Sequence, residues 1–210
     1  MKFDKKMLTL YAITDRKCIG GRGLEYSVEQ ALSGGATIVQ LRDKAADFDT
    51  LCREADSLLK ICQKYNSPLI INDSIDAVLK TGADGVHLGQ SDIPCTVARK
   101  ILGRDKLIGV SCATAEEAAK AQTDGADYLG VGAVFPTATK HNTRPVTAER
   151  IREIRAAVTL PFVVIGGVNE QNISSLYGLG INGAAVVSAI AAKPDITAAA
   201  RVMRLAAEKL

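Results

Sequence analysis

Residues 114–131 read TAEEAAKAQTDGADYLGV, and this stretch decides the fold. Thr114 stands just before Glu116-Glu117. A hydroxyl there accepts from the open N–H groups of a first helical turn, and acids favour the positive end of the helix. The helix predicted from Thr114 reaches Gln122. Gly125-Ala126-Asp127 follows, and glycine past a helix end takes the left-handed cap conformation at little cost. Directly after it comes the apolar run Tyr128–Val131. It is too short for a helix and apolar on both faces, as a parallel strand buried on both sides must be.

The same helix–glycine–strand unit recurs at Gly34-Gly35-Ala36, Gly82-Ala83-Asp84 and Gly180-Ile181-Asn182-Gly183. The predicted strands are Leu8–Ile13, Thr37–Leu41, Pro68–Ile71, Gly85–Leu88, Leu107–Val110, Tyr128–Val131, Phe162–Ile165 and Ala184–Val187. Between them lie amphipathic segments. Phe48–Tyr65 puts Leu51, Ala55, Leu58, Leu59 and Cys62 on one face. Thr147 opens another with Arg150, Ile151 and Ile154, and Asp195–Leu210 is the last. Roughly eight such units in about 200 residues predict an α/β fold, a single-domain (β/α)₈ TIM barrel over residues 1–210. The alternative is a doubly wound open sheet. It lacks a GxGxxG between strand and helix: Gly130 and Gly132 run into Ala133-Val134-Phe135-Pro136 instead of a helix start.

Composition narrows the function classes. Hydrophobic residues make up 47% of the chain, enough for one sizeable core. The net charge of +3 and the lack of a basic run exclude a nucleic-acid surface, and Lys2, Lys5 and Lys6 read as a solvated N-terminal segment. Cys18, Cys52, Cys62, Cys95 and Cys112 are scattered without a CxxC pair. That argues against structural zinc and for reduced thiols, with Cys112 a small buried filler. No stretch reaches the ~20 apolar residues of a membrane span. The apolar run from Met7 to Ile13 is broken by Thr9 and ends at Thr14-Asp15, unlike a signal peptide. The expectation is a cytoplasmic protein with small-molecule partners, no nucleic acid and no membrane; a homo-oligomer is left open.

In a TIM barrel the chemistry sits where strands end. After strand two comes Gln40-Leu41-Arg42-Asp43-Lys44. If the strand continues, Gln40, Arg42 and Lys44 share a face, and two cations aimed at a barrel mouth call for an anion. The alternative is a surface salt bridge with Asp43. Strands three and four end at Asn72-Asp73 and His87-Leu88-Gly89-Gln90-Ser91-Asp92. Asp73 and Asp92 then lie close together, as oxygen ligands to a hard divalent cation such as Mg²⁺ would. Either Asp could instead cap the next helix. His87 reads as a core histidine and His141 as a solvated one. Ser111, at the end of strand five, either donates to a ligand or begins a turn. It lacks a GxSxG elbow. After strand six, Pro136-Thr137-Ala138-Thr139-Lys140 offers two hydroxyls and a cation, and could close over an anion. Gly166-Gly167 after strand seven and Ser188 after strand eight suit a monophosphate, the alternative being a pair of tight turns. The sum is two anion sites with a metal beside cationic strand ends.

These motifs, in this order, resemble the thiamine-phosphate synthase family over nearly the whole chain. The resemblance implies a transferase that joins 4-amino-5-hydroxymethyl-2-methylpyrimidine diphosphate to a thiazole phosphate, releasing thiamine monophosphate and diphosphate. It implies that Gln40, Arg42, Lys44, Asn72, Ser111 and Lys140 bind the pyrimidine diphosphate, with Arg42, Lys44, Ser111 and Lys140 catalytic. It implies Mg²⁺ on Asp73 and Asp92. It implies that Thr137, Thr139, Gly167, Val187 and Ser188 bind the thiazole phosphate. One departure is Ala113, where the family pattern carries histidine. The Gly20-Gly21-Arg22-Gly23 segment has no role in this reading. Two rivals are a thiazole tautomerase of the same fold, which needs no diphosphate site, and a non-catalytic binder of thiamine precursors.

Overall fold

The computed structural model describes residues 3–137 and 145–210. Lys2, Thr139, Lys140 and His141 lie outside them.

Eight parallel strands close in sequence order: β1 Leu10–Ile13, β2 Ile38–Leu41, β3 Leu69–Asn72, β4 Gly85–Leu88, β5 Leu107–Cys112, β6 Tyr128–Gly132, β7 Phe162–Ile165 and β8 Gly183–Val186. Closure is carried by β1 against β8, with Tyr11 opposite Ala185 and Ala12 opposite Val186. The helices are α1 Arg16–Ile19, α2 Leu24–Ser33, α3 Phe48–Lys64, α4 Ile75–Thr81, α5 Cys95–Leu102, α6 Ala115–Thr123, α7 Ala148–Ala157, α8 Ser188–Ala191 and α9 Ile196–Ala207. Each strand is followed by an α-helix except β7, whose connection carries the single 3-10 turn Ile173–Leu176.

The sequence signals act where they stand. Thr114, Thr147 and Asp195 are N-caps, each accepting from the backbone N–H three residues on. Gly82 closes α4 in the left-handed conformation, its N–H reaching Val78 O at 2.9 Å. The predicted strands differ from the observed ones by a residue or two at their ends. The useful difference is at β3, β5 and β6, which run one or two residues further and carry Asn72, Ser111 and Gly132 on the strands themselves.

Two apolar layers result. An outer one, including Val39, Leu58, Ile71, Val86, Ile108, Leu129 and Ile151, fills the space between strands and helices. An inner one, with Leu8, Tyr11, Ile38, Ile70, Leu107, Tyr128 and Val163, plugs the barrel from within. The alternation of strand side chains separates them. The inner plug ends below the C-terminal strand ends, so those ends surround a cleft rather than a pore. Cys112 packs in the outer layer, where burial pushes its thiol up to about 12. No helix among the described residues is long and apolar enough to cross a membrane.

Candidate functional site

The cleft at the strand ends encloses about 990 Å³, counting its open mouth. Gln40, Arg42, Asn72, Ser111, Thr137, Gly167, Val187 and Ser188 all line it. These are eight of the eleven residues predicted to touch substrate. Thr139 and Lys140 lie outside the described residues, and Lys44 lies beside the cleft.

Lys44 corrects the strand-two reading. β2 stops at Leu41, so the alternation that would align Lys44 with Gln40 and Arg42 ends first. Lys44 sits in the following bend, exposed, with Nζ 3.8 Å from Asp73 Oδ2. The surface pairing with Asp43 is not formed either. Asp43 is taken by Arg16, which also grips Glu54. Arg42 stands 3.7 Å from Asp15 Oδ2. Its backbone is clamped by Thr14: Arg42 N–H donates to Thr14 Oγ1 at 2.8 Å, and the hydroxyl donates back to Arg42 O at 3.2 Å. The Thr14–Arg16 turn after β1 thus fixes the Arg42–Asp43 turn after β2.

Neither acidic residue caps a helix. Ser74 caps α4, and α5 has Pro94 at its cap position with no side-chain bond. Asp92 instead closes its own turn, accepting from Gly89 N–H at 2.7 Å. Asp73 holds the left-handed backbone conformation at φ 64, which a side-chain-bearing residue adopts at a cost. Its carboxyl meets that of Asp92. Burial, the hydrogen bond to Asp92 and the like charge there lift Asp73 to about 6, with Lys44 pulling the other way. Two carboxylates in contact, with Lys44 paired to Asp73 at 3.8 Å, form an oxygen donor set that one lysine neutralises only in part. That set fits a divalent cation, which takes one or two carboxylates and fills its remaining positions with water and phosphate oxygens.

The opposite rim is backbone. Gly166 and Gly167 have φ 96 and 65. A Cβ on Gly167 would run into Pro136 O and come within 2.8 Å of Phe135 Cβ, so only glycine lets the β6 and β7 loops meet here. The Asn169 and Asn172 amides both donate to Gly167 O, at 3.2 and 2.9 Å. Ser188 opens the short α8 directly after Val187. Lys193, beyond α8, pairs with Glu170 at 2.7 Å and ties the loops after β7 and β8 together.

The sequence reading missed two features. Arg22, in the Gly20–Gly23 segment, donates to Cys18 O, Ile19 O, Ala191 O and Lys193 O. It staples the loop after β1 to the carboxyl end of α8, which gives that segment its role. His87 is buried, as expected for a core residue, but it also lines the cleft. Its Nε2 lies 3.0 Å from Ser111 Oγ. Ser111 is further held by Gln90, whose amide donates to Ser111 O at 2.6 Å. Ser111 therefore belongs to the cleft wall and begins no turn.

Residues 10–190 match the family described as thiamine monophosphate synthase. The thiamine-phosphate synthase of Ruminiclostridium cellulolyticum is 50% identical over 192 residues, 91% of either chain. That of Clostridium tetani is 48% identical over 188 residues, 90% of either chain. Among solved structures, a thiamine phosphate pyrophosphorylase from Pyrococcus furiosus superposes with a TM-score of 0.89 at 36% identity, covering 97% of each chain.

Proposed function

This chain belongs to the thiamine monophosphate synthase family, and from that premise we propose how its cleft is divided between two phosphorylated substrates. The protein is a transferase that couples a pyrimidine to a thiazole to make thiamine phosphate. In the proposed division, 4-amino-5-hydroxymethyl-2-methylpyrimidine diphosphate lies toward β2–β5. Gln40, Asn72 and Ser111 meet the ring or its diphosphate there, and Arg42, Lys44 and Lys140 meet the diphosphate. The thiazole phosphate lies toward β7 and β8, against Gly167, Val187 and Ser188, with Thr137 and Thr139. The observation that carries this division is the polarity of the rim: a fixed cation and an acid pair stand on one side, and tight glycine backbone on the other.

The chemistry follows from that division. The bond between the pyrimidine methylene and the diphosphate oxygen breaks, and its electron pair leaves with the diphosphate. The aminopyrimidine ring delocalises the charge left on the methylene. The thiazole nitrogen then gives its lone pair to form the new C–N bond. Arg42 binds the departing diphosphate from a position set by Asp15 and Thr14, so little reorganisation is needed as charge develops. Lys44 and Lys140 add to the field. The inner plug closes the cleft from below. Asp73 and Asp92 are the residues that would hold Mg²⁺. When bound, it supplies charge neutralisation to the diphosphate.

The division is tested by substitution on each rim. Arg42→Met raises the KM for the pyrimidine diphosphate or lowers kcat by roughly 10–100-fold, the cost of one lost charge-assisted contact, while the KM for thiazole phosphate stays within about twofold. Ser188→Ala shifts mainly the thiazole phosphate KM. The opposite pattern would overturn the assignment.

A further inference from the structure

Five side chains cross the barrel floor in one run of hydrogen bonds. Gln40 Nε2 donates to Tyr11 Oη at 2.9 Å. The hydroxyls of Tyr11 and Tyr128 are 2.9 Å apart. Tyr128 Oη lies 3.3 Å from His87 Nδ1, and His87 Nε2 lies 3.0 Å from Ser111 Oγ. The five come from β2, β1, β6, β4 and β5, so only the closed barrel brings them together. Gln40, Tyr11, His87 and Ser111 all line the cleft, and Tyr128 lies completely buried beneath it.

Space for the run is made by glycine. A Cβ on Gly109 of β5 would strike the Tyr128 ring and come within 2.5 Å of His87 Nδ1. One on Gly130 of β6 would lie 3.0 Å from His87 Cε1. Two strand positions that favour bulky residues are thus left bare.

The run has a sense. Each phenol carries one proton, and burial raises both phenols above their ordinary range, so both keep it. With Gln40 donating to Tyr11 Oη, the arrangement that leaves no phenol proton unpaired sends the Tyr11 proton to Tyr128 Oη. The Tyr128 proton then goes to His87 Nδ1. The imidazole carries its proton on Nε2 and gives it to Ser111 Oγ. The Ser111 proton is left for the cleft, and at the far end so is Gln40 Oε1. With the proton on Nδ1 instead, the order reverses, and Gln40 must turn its amide over to accept the Tyr11 proton on Oε1, leaving Nε2 as a donor to the cleft.

We infer that this run fixes an acceptor at Gln40 and a donor at Ser111, and thereby makes the cleft select a 4-aminopyrimidine over its 4-oxo counterpart. The inference rests on the pyrimidine-binding reading above. An aminopyrimidine offers an amino N–H and a ring-nitrogen lone pair, which match the two ends. The oxo form offers a carbonyl lone pair and a ring N–H, which invert them. Tyr11, Tyr128 and His87 are positioning residues in this account.

Two measurements test it. The first is ¹⁵N NMR of the full-length protein, with the His87 ring nitrogens assigned by loss of the other histidine in His141→Gln. Protonation at Nε2 alone is expected; a proton on Nδ1 overturns the sense of the run. The second is calorimetric binding of the pyrimidine diphosphate and of its 4-oxo analogue, without thiazole phosphate. Wild type is expected to prefer the amino form by about 10²-fold, two hydrogen bonds made against two lost. Tyr128→Phe and Tyr11→Phe are each expected to reduce that preference by about tenfold, while the KM for thiazole phosphate stays unchanged. An undiminished preference in both variants overturns the inference. A wild type that binds neither pyrimidine overturns the functional reading instead, and the NMR result still decides the sense of the run.

Discussion

Replacing Asp73 by Asn should stabilise the metal-free protein while disabling it. The side chain of Asp73 is pressed against Asp92, and its carboxyl is lifted from the ordinary 3.8 to about 6. That difference corresponds to ~3 kcal/mol held against folding when the group is ionised. About a third of the side chain is in water, and solvent screening reduces the figure to ~1 kcal/mol. The sign follows from the raised value. Below the unfolded-state value the group is protonated in both states and has no effect. As pH rises through about 6 the folded state must give up a proton it holds tightly, and stability falls. Asn keeps the shape, carries no charge and tolerates the φ of 64 at this position. Urea unfolding in chelator should therefore give Asp73→Asn an advantage of ~1 kcal/mol at pH 7.5 that vanishes near pH 4. Added magnesium should stabilise wild type and not the variant. A variant less stable than wild type at pH 7.5, or an advantage independent of pH, would refute the reasoning.

Three further outcomes follow. Lys140→Ala should slow coupling by on the order of 10²–10³, the usual cost of one charge-stabilising donor; near-normal turnover would remove Lys140 from the diphosphate site. Chelation should abolish coupling and magnesium restore it, whereas full activity in metal-free buffer would contradict a cation on Asp73 and Asp92. Gly167→Ala forces a left-handed alanine against Phe135 and Pro136. It should cost about 2–4 kcal/mol in thermal or urea unfolding and raise the KM for thiazole phosphate more than that for pyrimidine diphosphate.

Much of the fold was legible because its signals are local. A cap at Thr114, Thr147 or Asp195 is satisfied within its own first turn, and a left-handed glycine at Gly82 needs only its own helix. The cleft residues were legible for a related reason. In a parallel barrel the carboxyl end of every strand faces the same mouth, so polar residues at Gln40, Asn72 and Ser111 converge whatever their separation in sequence. What escaped depends on the closed barrel or on where a strand stops. Lys44 followed the alternation only on paper, because β2 ends at Leu41. The capping alternatives for Asp73 and Asp92 failed because Ser74 and Pro94 occupy those positions. Asp15 gripping Arg42, Arg22 stapling α8 and Tyr128 reaching His87 join residues 27, 169 and 41 positions apart. No periodicity in the sequence encodes such pairs. Gly109 and Gly130 were visible as bare positions within apolar runs, and that is the one sequence sign of the polar run across the floor.

The most direct test of the account mixes the pyrimidine diphosphate and the thiazole phosphate with the full-length protein and magnesium, and follows thiamine monophosphate and diphosphate together. Both products should appear in equal amounts, with formation lost in Asp73→Asn. Thiazole isomerisation without coupling, or binding of both substrates with no product, would contradict it.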